Sequence, residues 1–137
     1  MILEFGHNMP QWARSSVKRW VRILRLTDWK VTALWVSEDE FQNVGEDQKT
    51  NAECLALPEY LHAEIGFCDD LRKSIESERV IMHELRHLHY SEIKQILQHC
   101  WDGRRRLEYE EVEKLLDAKI EQLIERDVNI LYSLVKN

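Results

Sequence analysis

The spacing of apolar residues divides the chain into helical and strand-like segments. In PQWARSSVKRWVRILRL (residues 10–26) apolar positions recur every three to four residues, and Pro10 suits a helix start. The same period returns from Ser74 almost to the carboxy terminus. It covers ERVIMHELRHLHY, then SEIKQILQHCW with Ser91 as a candidate cap, and then a long segment from about Arg105 to Val135. This pattern predicts an amino-terminal helix and a helical carboxy-terminal half.

Three short runs between these helical segments have the pattern of β-strands. KVTALWV (30–36) is rich in β-branched and aromatic residues, and ECLAL (53–57) and YLHAEIGF (60–67) lie on either side of Pro58. The last run alternates apolar with polar positions, as a half-buried strand does. The chain is therefore predicted to be α+β. We expect a small antiparallel or mixed sheet of about three strands, packed on the amino-terminal helix, the HELRH helix and the long carboxy-terminal helix.

The composition fits one compact domain without a membrane segment. The chain has 137 residues, 44% apolar and 32% charged, so we expect a single domain over residues 1–137. No stretch approaches about 18 uninterrupted apolar residues, and the start MILEFGHNMPQW lacks the pattern of a signal peptide. The three cysteines form no CxxC pair, which argues against a disulfide framework or a thiolate zinc site. They are Cys54, Cys68 and Cys100. We expect a cytoplasmic protein with no membrane partner.

The net charge of −6 is unevenly distributed along the chain. Residues 1–30 are rich in basic side chains, whereas the remainder is acidic. A basic amphipathic helix is compatible with nucleic-acid binding, but one solvated face of an ordinary helix has the same composition. We favour the ordinary helix and do not expect a nucleic-acid partner. The basic residues concerned are Arg14, Lys18, Arg19, Arg22, Arg25 and Lys30.

The segment VIMHELRHLHY (80–90) carries the strongest chemical pattern in the chain. On a helix with about 100° per residue, His83 and His87 lie about 40° apart, and the apolar residues of the segment face the other way. Two imidazoles one turn apart can bind one Zn²⁺ at about 2.0–2.1 Å, while Glu84 leans over the same ion without binding it. This HExxH arrangement predicts a zinc site, with His83 and His87 as ligands and Glu84 as general base.

Two histidines leave a tetrahedral zinc ion without its third protein ligand. His89 lies about 200° from His87 around the helix, so we interpret it as a structural or supporting residue. The longer HExxHxxGxxH pattern is excluded because its Gly and last His are absent. The remaining candidates are His62, His99 and two competing pairs of acids in the last helix, Glu113 with Asp117 and Glu121 with Glu125.

Four segments, in this order, resemble the small bacterial and bacteriophage-encoded zinc metallopeptidases called minimal gluzincins: LRLTDWKV, YLHAEIGF, ERVIMHELRHLHY and IEQLIERDVNILYSLV. The likeness spans about residues 20–137, and only the HExxH helix is specific. It implies a zincin-like fold, Glu121 as third zinc ligand, and Glu125 as the acid that steadies a ligating histidine. Arg86 departs from the family pattern, in which this place is usually aliphatic.

The resemblance also implies a reaction and a place for the substrate. Glu84 would activate a zinc-bound water for attack on a peptide bond. In the family the strand before the HExxH helix borders the cleft, so Ala63, Glu64 and Ile65 would pair with an extended peptide through a free backbone edge. An ordinary sheet edge would have the same pattern. The group that stabilises the oxyanion is not identified; the candidate donors are His89, Tyr90, Tyr109 and Tyr132.

Two other classes of function stay open at this point. One is a catalytically silent or latent zinc-containing binding or regulatory module, which the small size and the long terminal helix favour. The other is a DNA-associated protein that uses its basic first helix. The sequence determines neither the substrate nor the oligomeric state.

Overall fold

The structure is a computed structural model that describes residues 2–40, 51–101 and 106–136, with the side chains at 99–101, 106–109 and 136 left out. Within these ranges, no helix combines the length and the apolar character needed to cross a membrane. Short 3-10 turns lie at Glu38–Glu40 and Pro58–Tyr60. The main elements are β1 (Ile2–Phe5), α1 (Gln11–Ile23), β2 (Lys30–Val36), β3 (Ala52–Leu57), β4 (His62–Cys68), α2 (Ile75–Trp101) and α3 (Arg106–Lys136).

The strands form one four-stranded mixed sheet in the order β1-β2-β4-β3. β1 pairs parallel with β2 and β2 pairs parallel with β4, whereas β3 pairs antiparallel with β4. The predicted α+β class and the three predicted strands are confirmed. β1 was not predicted, because four residues are too few to establish an alternating pattern. β1 adds a second parallel pair to a sheet that is already mixed through the parallel pairing of β2 with β4.

The core lies between one face of this sheet and the three helices. Alternate residues of β2 and β4, such as Val31 and Ile65, are fully buried on that face. Each helix contributes a buried stripe, represented by Trp20 in α1, Leu85 in α2 and Ile124 in α3. Burying one such large side chain stabilises the fold by about 1.5–3 kcal/mol. The core therefore fixes which face of α2 and of α3 is left for polar side chains.

Helix α2 is longer than the sequence pattern predicts. The separate helix expected to start at a Ser91 cap is wrong, because α2 continues through Ser91 from Ile75 to Trp101. The Ser91 hydroxyl donates to the Leu88 carbonyl oxygen at 2.7 Å, a bond that serine commonly makes inside a helix. The cap is Ser74, whose hydroxyl accepts from the Ser77 backbone N–H at 3.2 Å. One straight helix thus carries the whole HExxH segment.

Several basic side chains of α1 take part in contacts within the fold. Arg14 donates to backbone carbonyl oxygens of the segment before α1, at 2.8–3.2 Å. Lys18 lies over the ring of Phe5, 5.7 Å from its centre. Arg19 forms an ion pair with Glu78 of α2. These contacts give the basic composition of α1 a structural explanation.

Candidate metal centre

The polar face of the HExxH segment is turned towards α3. His83 and His87 lie one turn apart on α2, and Glu121 of α3 lies opposite both of them. Core packing sets the positions of these three side chains. Leu85 of α2 and Ile124 of α3 are fully buried in the same core, which holds the two helices together with their polar faces opposed. The three side chains form one group, the ligand cluster, whose ligand atoms all lie within 4.8 Å of one another.

The distances in the ligand cluster fit a tetrahedral zinc ion. His83 Nε2 lies 3.2 Å from His87 Nε2. The two Glu121 carboxylate oxygens lie 3.2 Å from His83 Nε2 and 3.0 Å from His87 Nε2. Ligands that each lie about 2.0–2.1 Å from a tetrahedral zinc are about 3.3 Å apart. The observed separations are close to this value, so a metal ion fits with only small side-chain adjustments.

The His83 ring is oriented by a second carboxylate of α3. His83 Nδ1 and Glu125 Oε1 are 2.7 Å apart. Because a carboxylate only accepts, Nδ1 donates its proton to Glu125, and in the neutral ring the lone pair then lies on His83 Nε2, which is directed into the ligand cluster. A carboxylate behind a histidine ring is the arrangement that usually supports a zinc-bound histidine.

His87 is held in the form that can bind a metal. Burial lowers the pKa of His87, with His83 acting in the same direction against the opposing effect of Glu121. A neutral ring can place a lone pair on Nε2. A single proton between the rings would satisfy only some of the converging acceptors, whereas a divalent cation would satisfy all three at once. The donor set of two imidazoles and one carboxylate is one that zinc accepts.

Glu84 lies beside the ligand cluster, next to β3. Burial raises the pKa of Glu84 to about 7; His83 opposes the rise, and the carboxylates of Glu121 and Glu53 add to it. Burial, followed by the charge of Glu84, also raises the pKa of the Cys54 thiol to about 12. A carboxyl group with a pKa near neutrality, next to a metal-binding arrangement, is suited to exchanging protons in a reaction.

A cavity of about 460 Å³ adjoins the ligand cluster. It lies between β3, α2 and α3, and its wall includes His87, Glu121 and the apolar residues Ala56 and Ile120. Lys94 also lines it, and its ammonium group is 3.0 Å from Asp117 and 3.5 Å from Glu113. The cavity is large enough to take a side chain of a molecule bound at the cluster.

The predicted pairing of a substrate with Ala63, Glu64 and Ile65 does not agree with the structure. These residues lie in β4, which is bonded to β2 on one side and β3 on the other, so β4 has no free backbone edge. Ala63 and Ile65 are buried against the helices, and Glu64 is exposed on the other face of the sheet. In the described sheet the free edge on this side belongs to β3, which packs against α2.

The other predicted metal ligands whose side chains are described lie outside the ligand cluster. Glu113 and Asp117 are engaged with Lys94. His62 is in β4, paired with Leu57 and Lys30, and is not part of the cluster. The His99 side chain lies outside the described residues. Among the possible metal groups in the described part of the chain, the structure brings together His83, His87 and Glu121.

The structure describes the side chains of three of the four proposed oxyanion donors. Tyr90 lines the 460 Å³ cavity, but its hydroxyl donates to Asp127 at 2.9 Å. Tyr132 lies under the Arg79 guanidinium at the other end of α2, and the Tyr109 side chain lies outside the described residues. Neither Tyr90 nor Tyr132 is an evident oxyanion donor, and His89 is paired with Arg86.

A second polar group, the Arg86 cluster, joins α2 to α3 one turn further along, and sequence reasoning missed it. Arg86 donates through Nε and Nη2 to Asp127 Oδ2 at 3.0 and 2.9 Å, and the Tyr90 hydroxyl donates to the same oxygen. Arg86 also donates to His89 Nδ1, and burial followed by the Arg86 charge lowers the pKa of His89. The unusual arginine inside the HExxH motif was the one available signal.

Comparison of the chain with models of protein families, with curated proteins and with solved structures found no match. The site is therefore interpreted from its own geometry.

Proposed function

We propose that this protein is a zinc-dependent peptidase of the minimal gluzincin type, with a zincin-like fold. The observation that supports this most is the convergence of His83 Nε2, His87 Nε2 and the Glu121 carboxylate at 3.0–3.2 Å, with Glu84 beside them. In this proposal the three residues hold Zn²⁺, and Glu125 steadies His83 through its Nδ1 proton.

In the proposed reaction zinc supplies a Lewis acid that polarises the peptide carbonyl and makes a water molecule more acidic. Glu84 accepts a proton from the attacking water and later donates it to the departing amine. The raised pKa of Glu84, about 7, suits both transfers. A carboxyl group whose pKa is close to the pH of the solution can both accept and donate a proton readily. In this proposal the imidazoles and Glu121 would hold the metal and take no part in the proton transfers.

The free edge of β3 offers a place for an extended peptide. An added strand would form main-chain hydrogen bonds with β3. It would pass close to Glu84, whose charge helps to raise the pKa of Cys54 in the middle of β3. One of its side chains would enter the 460 Å³ cavity next to His87. This arrangement replaces the pairing with β4 that the resemblance implied.

Zinc content and turnover test the proposal together. We expect purified protein to hold one zinc per chain and to cleave unfolded protein substrates. Glu84→Gln should keep the zinc and lose cleavage, whereas His83→Ala should lose both. Cleavage retained by Glu84→Gln would contradict the assigned base. Full zinc occupancy without cleavage of a broad set of peptides would instead support the non-catalytic zinc module.

A further inference from the structure

The sheet has one face that the described helices leave uncovered. All-parallel sheets usually have both faces covered, whereas sheets with antiparallel pairs, such as β3-β4, often leave one face exposed. Here α1, α2 and α3 pack on the face that carries Val31 and Ile65. On the opposite face Leu55 is 63% exposed and Leu57 is 38% exposed. Both leucines belong to β3, the strand whose edge is free beside the ligand cluster.

A cavity of about 700 Å³ lies on this uncovered face. Its apolar floor is formed by Leu34 and Val36 of β2 and Leu55 of β3. Three carboxylates line it as well, and no lysine or arginine of the described residues does. They are Glu40, Glu53 and Glu64. The surface thus combines apolar contact area with negative charge and suits a partner that offers apolar and cationic groups together.

The sheet register places Glu53 directly beside an added strand and Glu64 one strand further in, across Leu55. Glu53 lies in β3 opposite Gly66, and Glu64 lies in β4 opposite Leu55. Residues directly opposite on neighbouring strands have Cβ atoms about 4.5–5.5 Å apart, so a side chain on a strand added beside β3 would lie next to Glu53 or Leu55. Glu53 also lies near enough to Glu84 to raise its pKa. The acidic face and the reacting groups therefore border the same stretch of β3.

The two faces of an added strand would meet different charges. Successive side chains of a strand point to opposite faces, so they would alternate between the helix side and the uncovered face. On the helix side, the cavity next to His87 combines apolar wall residues, Ala56 and Ile120, with polar ones. Its Lys94 is paired with Asp117 and Glu113. On the uncovered face, the carboxylates have no basic partner among the residues that line the cavity.

We infer that the preferred substrate is an extended peptide in which lysine or arginine alternates with apolar residues, the basic side chains lying over Glu53 and Glu64 and an apolar one entering the cavity beside His87. This inference rests on the proposed peptidase function, and it names the class of peptide that the site accepts. The preference comes from attraction of the basic side chains to the carboxylates of the uncovered face and from burial of an apolar side chain on the helix side.

Peptide binding tests the inference without turnover. The full chain carrying Glu84→Gln would be titrated into three labelled seven-residue peptides with leucine or alanine at every second position and lysine, glutamine or glutamate between. We expect the lysine peptide to bind most tightly and the glutamate peptide least. Each of Glu53→Gln and Glu64→Gln should weaken lysine-peptide binding about twofold to fivefold, as expected for exposed ion pairs. Added salt should reduce the preference.

Two controls separate this preference from general attraction to an acidic protein. Glu76→Gln removes the same charge from an exposed position at the start of α2 and should leave binding unchanged. A peptide of the same composition with adjacent lysines should bind more weakly than the alternating one. Equal binding of the lysine and glutamine peptides, or equal effects of Glu76→Gln and Glu53→Gln, would overturn the inference.

The same material distinguishes failure of this inference from failure of the proposed function. If the zinc-loaded native chain cleaves lysine and glutamine peptides equally well, the peptidase stands and the basic preference is wrong. If the lysine peptide binds selectively through Glu53 and Glu64 but no peptide is cleaved, the preference stands and the peptidase is contradicted.

Discussion

Helices α2 and α3 meet at two polar clusters that differ in how their charges are balanced. In the Arg86 cluster, Arg86 and Asp127 pair directly, with exposed side-chain fractions of only 24% and 20%. In the ligand cluster, the Nε2 atoms of the two imidazoles and the Glu121 carboxylate oxygens lie 3.0–3.2 Å apart. In the first cluster the acceptors Asp127 Oδ2 and His89 Nδ1 each face a donor. We propose that the second cluster takes up a cation, and this difference separates a structural contact from a candidate binding site.

The two clusters also depend on each other through the helices that carry them. Arg86 is the residue before His87, and Asp127 follows Glu125 by two positions. The bond between Arg86 and Asp127 therefore adds to the core packing that holds α3 against the HExxH face of α2. We interpret the Arg86 cluster as a contact that helps to hold the ligand cluster at a separation suited to a metal ion.

The sharpest test of this contrast is the loss of a ligand. His87→Ala should reduce zinc affinity by more than the 10–100-fold that is typical when only a supporting residue is lost, and cleavage should disappear with the metal. Elemental analysis and competition with a chelator measure the affinity. His62→Ala removes the same residue type from β4, outside the cluster, and should keep one zinc per chain. A His87→Ala protein with full zinc content would mean that the ligand cluster is not the metal site.

Loss of one partner in the Arg86 cluster should instead affect folding. Arg86→Met leaves the Asp127 carboxylate half-buried without its cation and should lower the free energy of unfolding by about 3 kcal/mol, the lower end for a buried ion pair. Urea unfolding of metal-free protein measures it. Glu121→Gln, in the ligand cluster, should change the metal-free value by less than about 0.5 kcal/mol. Equal losses in the two variants would remove the distinction between the clusters.

Glu84 should make stability depend on pH in the direction opposite to His87 and to His89 of the Arg86 cluster, whose lowered pKa values favour the folded state at higher pH. The pKa of Glu84 is raised from 4.5 to about 7 in the folded protein, so the folded state binds a proton more tightly than the unfolded state does. Stability is then highest below pH 4.5 as far as this group is concerned, and it falls as the pH rises to about 7. The loss should be roughly 2–3 kcal/mol in metal-free protein.

Glu84→Gln provides the control for this pH effect. Since glutamine does not ionise, the variant should be more stable than the native chain at pH 8 and close to it at pH 4.5, in the absence of metal. Thermal unfolding at the two pH values measures the difference. If the native chain and the variant respond identically to pH, Glu84 does not have the raised pKa on which its proposed role depends.

Local patterns were sufficient to predict most of the helices and strands. They also predicted which side of the HExxH segment faces the core. β2, β3 and β4 were predicted from β-branched composition and alternation, and the stripe of Leu85 and Leu88 correctly indicated which side of α2 is buried. The α2 boundary at Ser91 was wrong, because a serine can cap a helix or bond within one and the sequence does not distinguish the two.

Features that depend on neighbours distant in the sequence were harder to predict. Strand order decides which strand has a free edge. No pattern within YLHAEIGF shows that β3 pairs with β4 and so occupies the edge of β4 that was expected to be free. Arg86 and Asp127 are 41 residues apart, so only the fold reveals their contact. The acid partners of the histidines could be proposed only because a resemblance pointed to Glu121 and Glu125. Their spacing alone left Glu113 and Asp117 equally open.

The smallest expected effect comes from Glu125, the carboxylate that contacts His83 of the ligand cluster. Glu125→Ala removes the acceptor 2.7 Å from His83 Nδ1 and should lower zinc affinity about 10–100-fold by loosening the ring. Glu125→Gln, which keeps an accepting oxygen, should restore part of the affinity. Because Glu125 is 61% exposed, metal-free stability should change little in either variant. The control is Glu113→Ala, which removes an acid of the same helix that faces Lys94 and should leave zinc affinity unaltered. If Glu113→Ala lowered zinc affinity as much as Glu125→Ala does, the effect would come from general negative charge and not from support of His83.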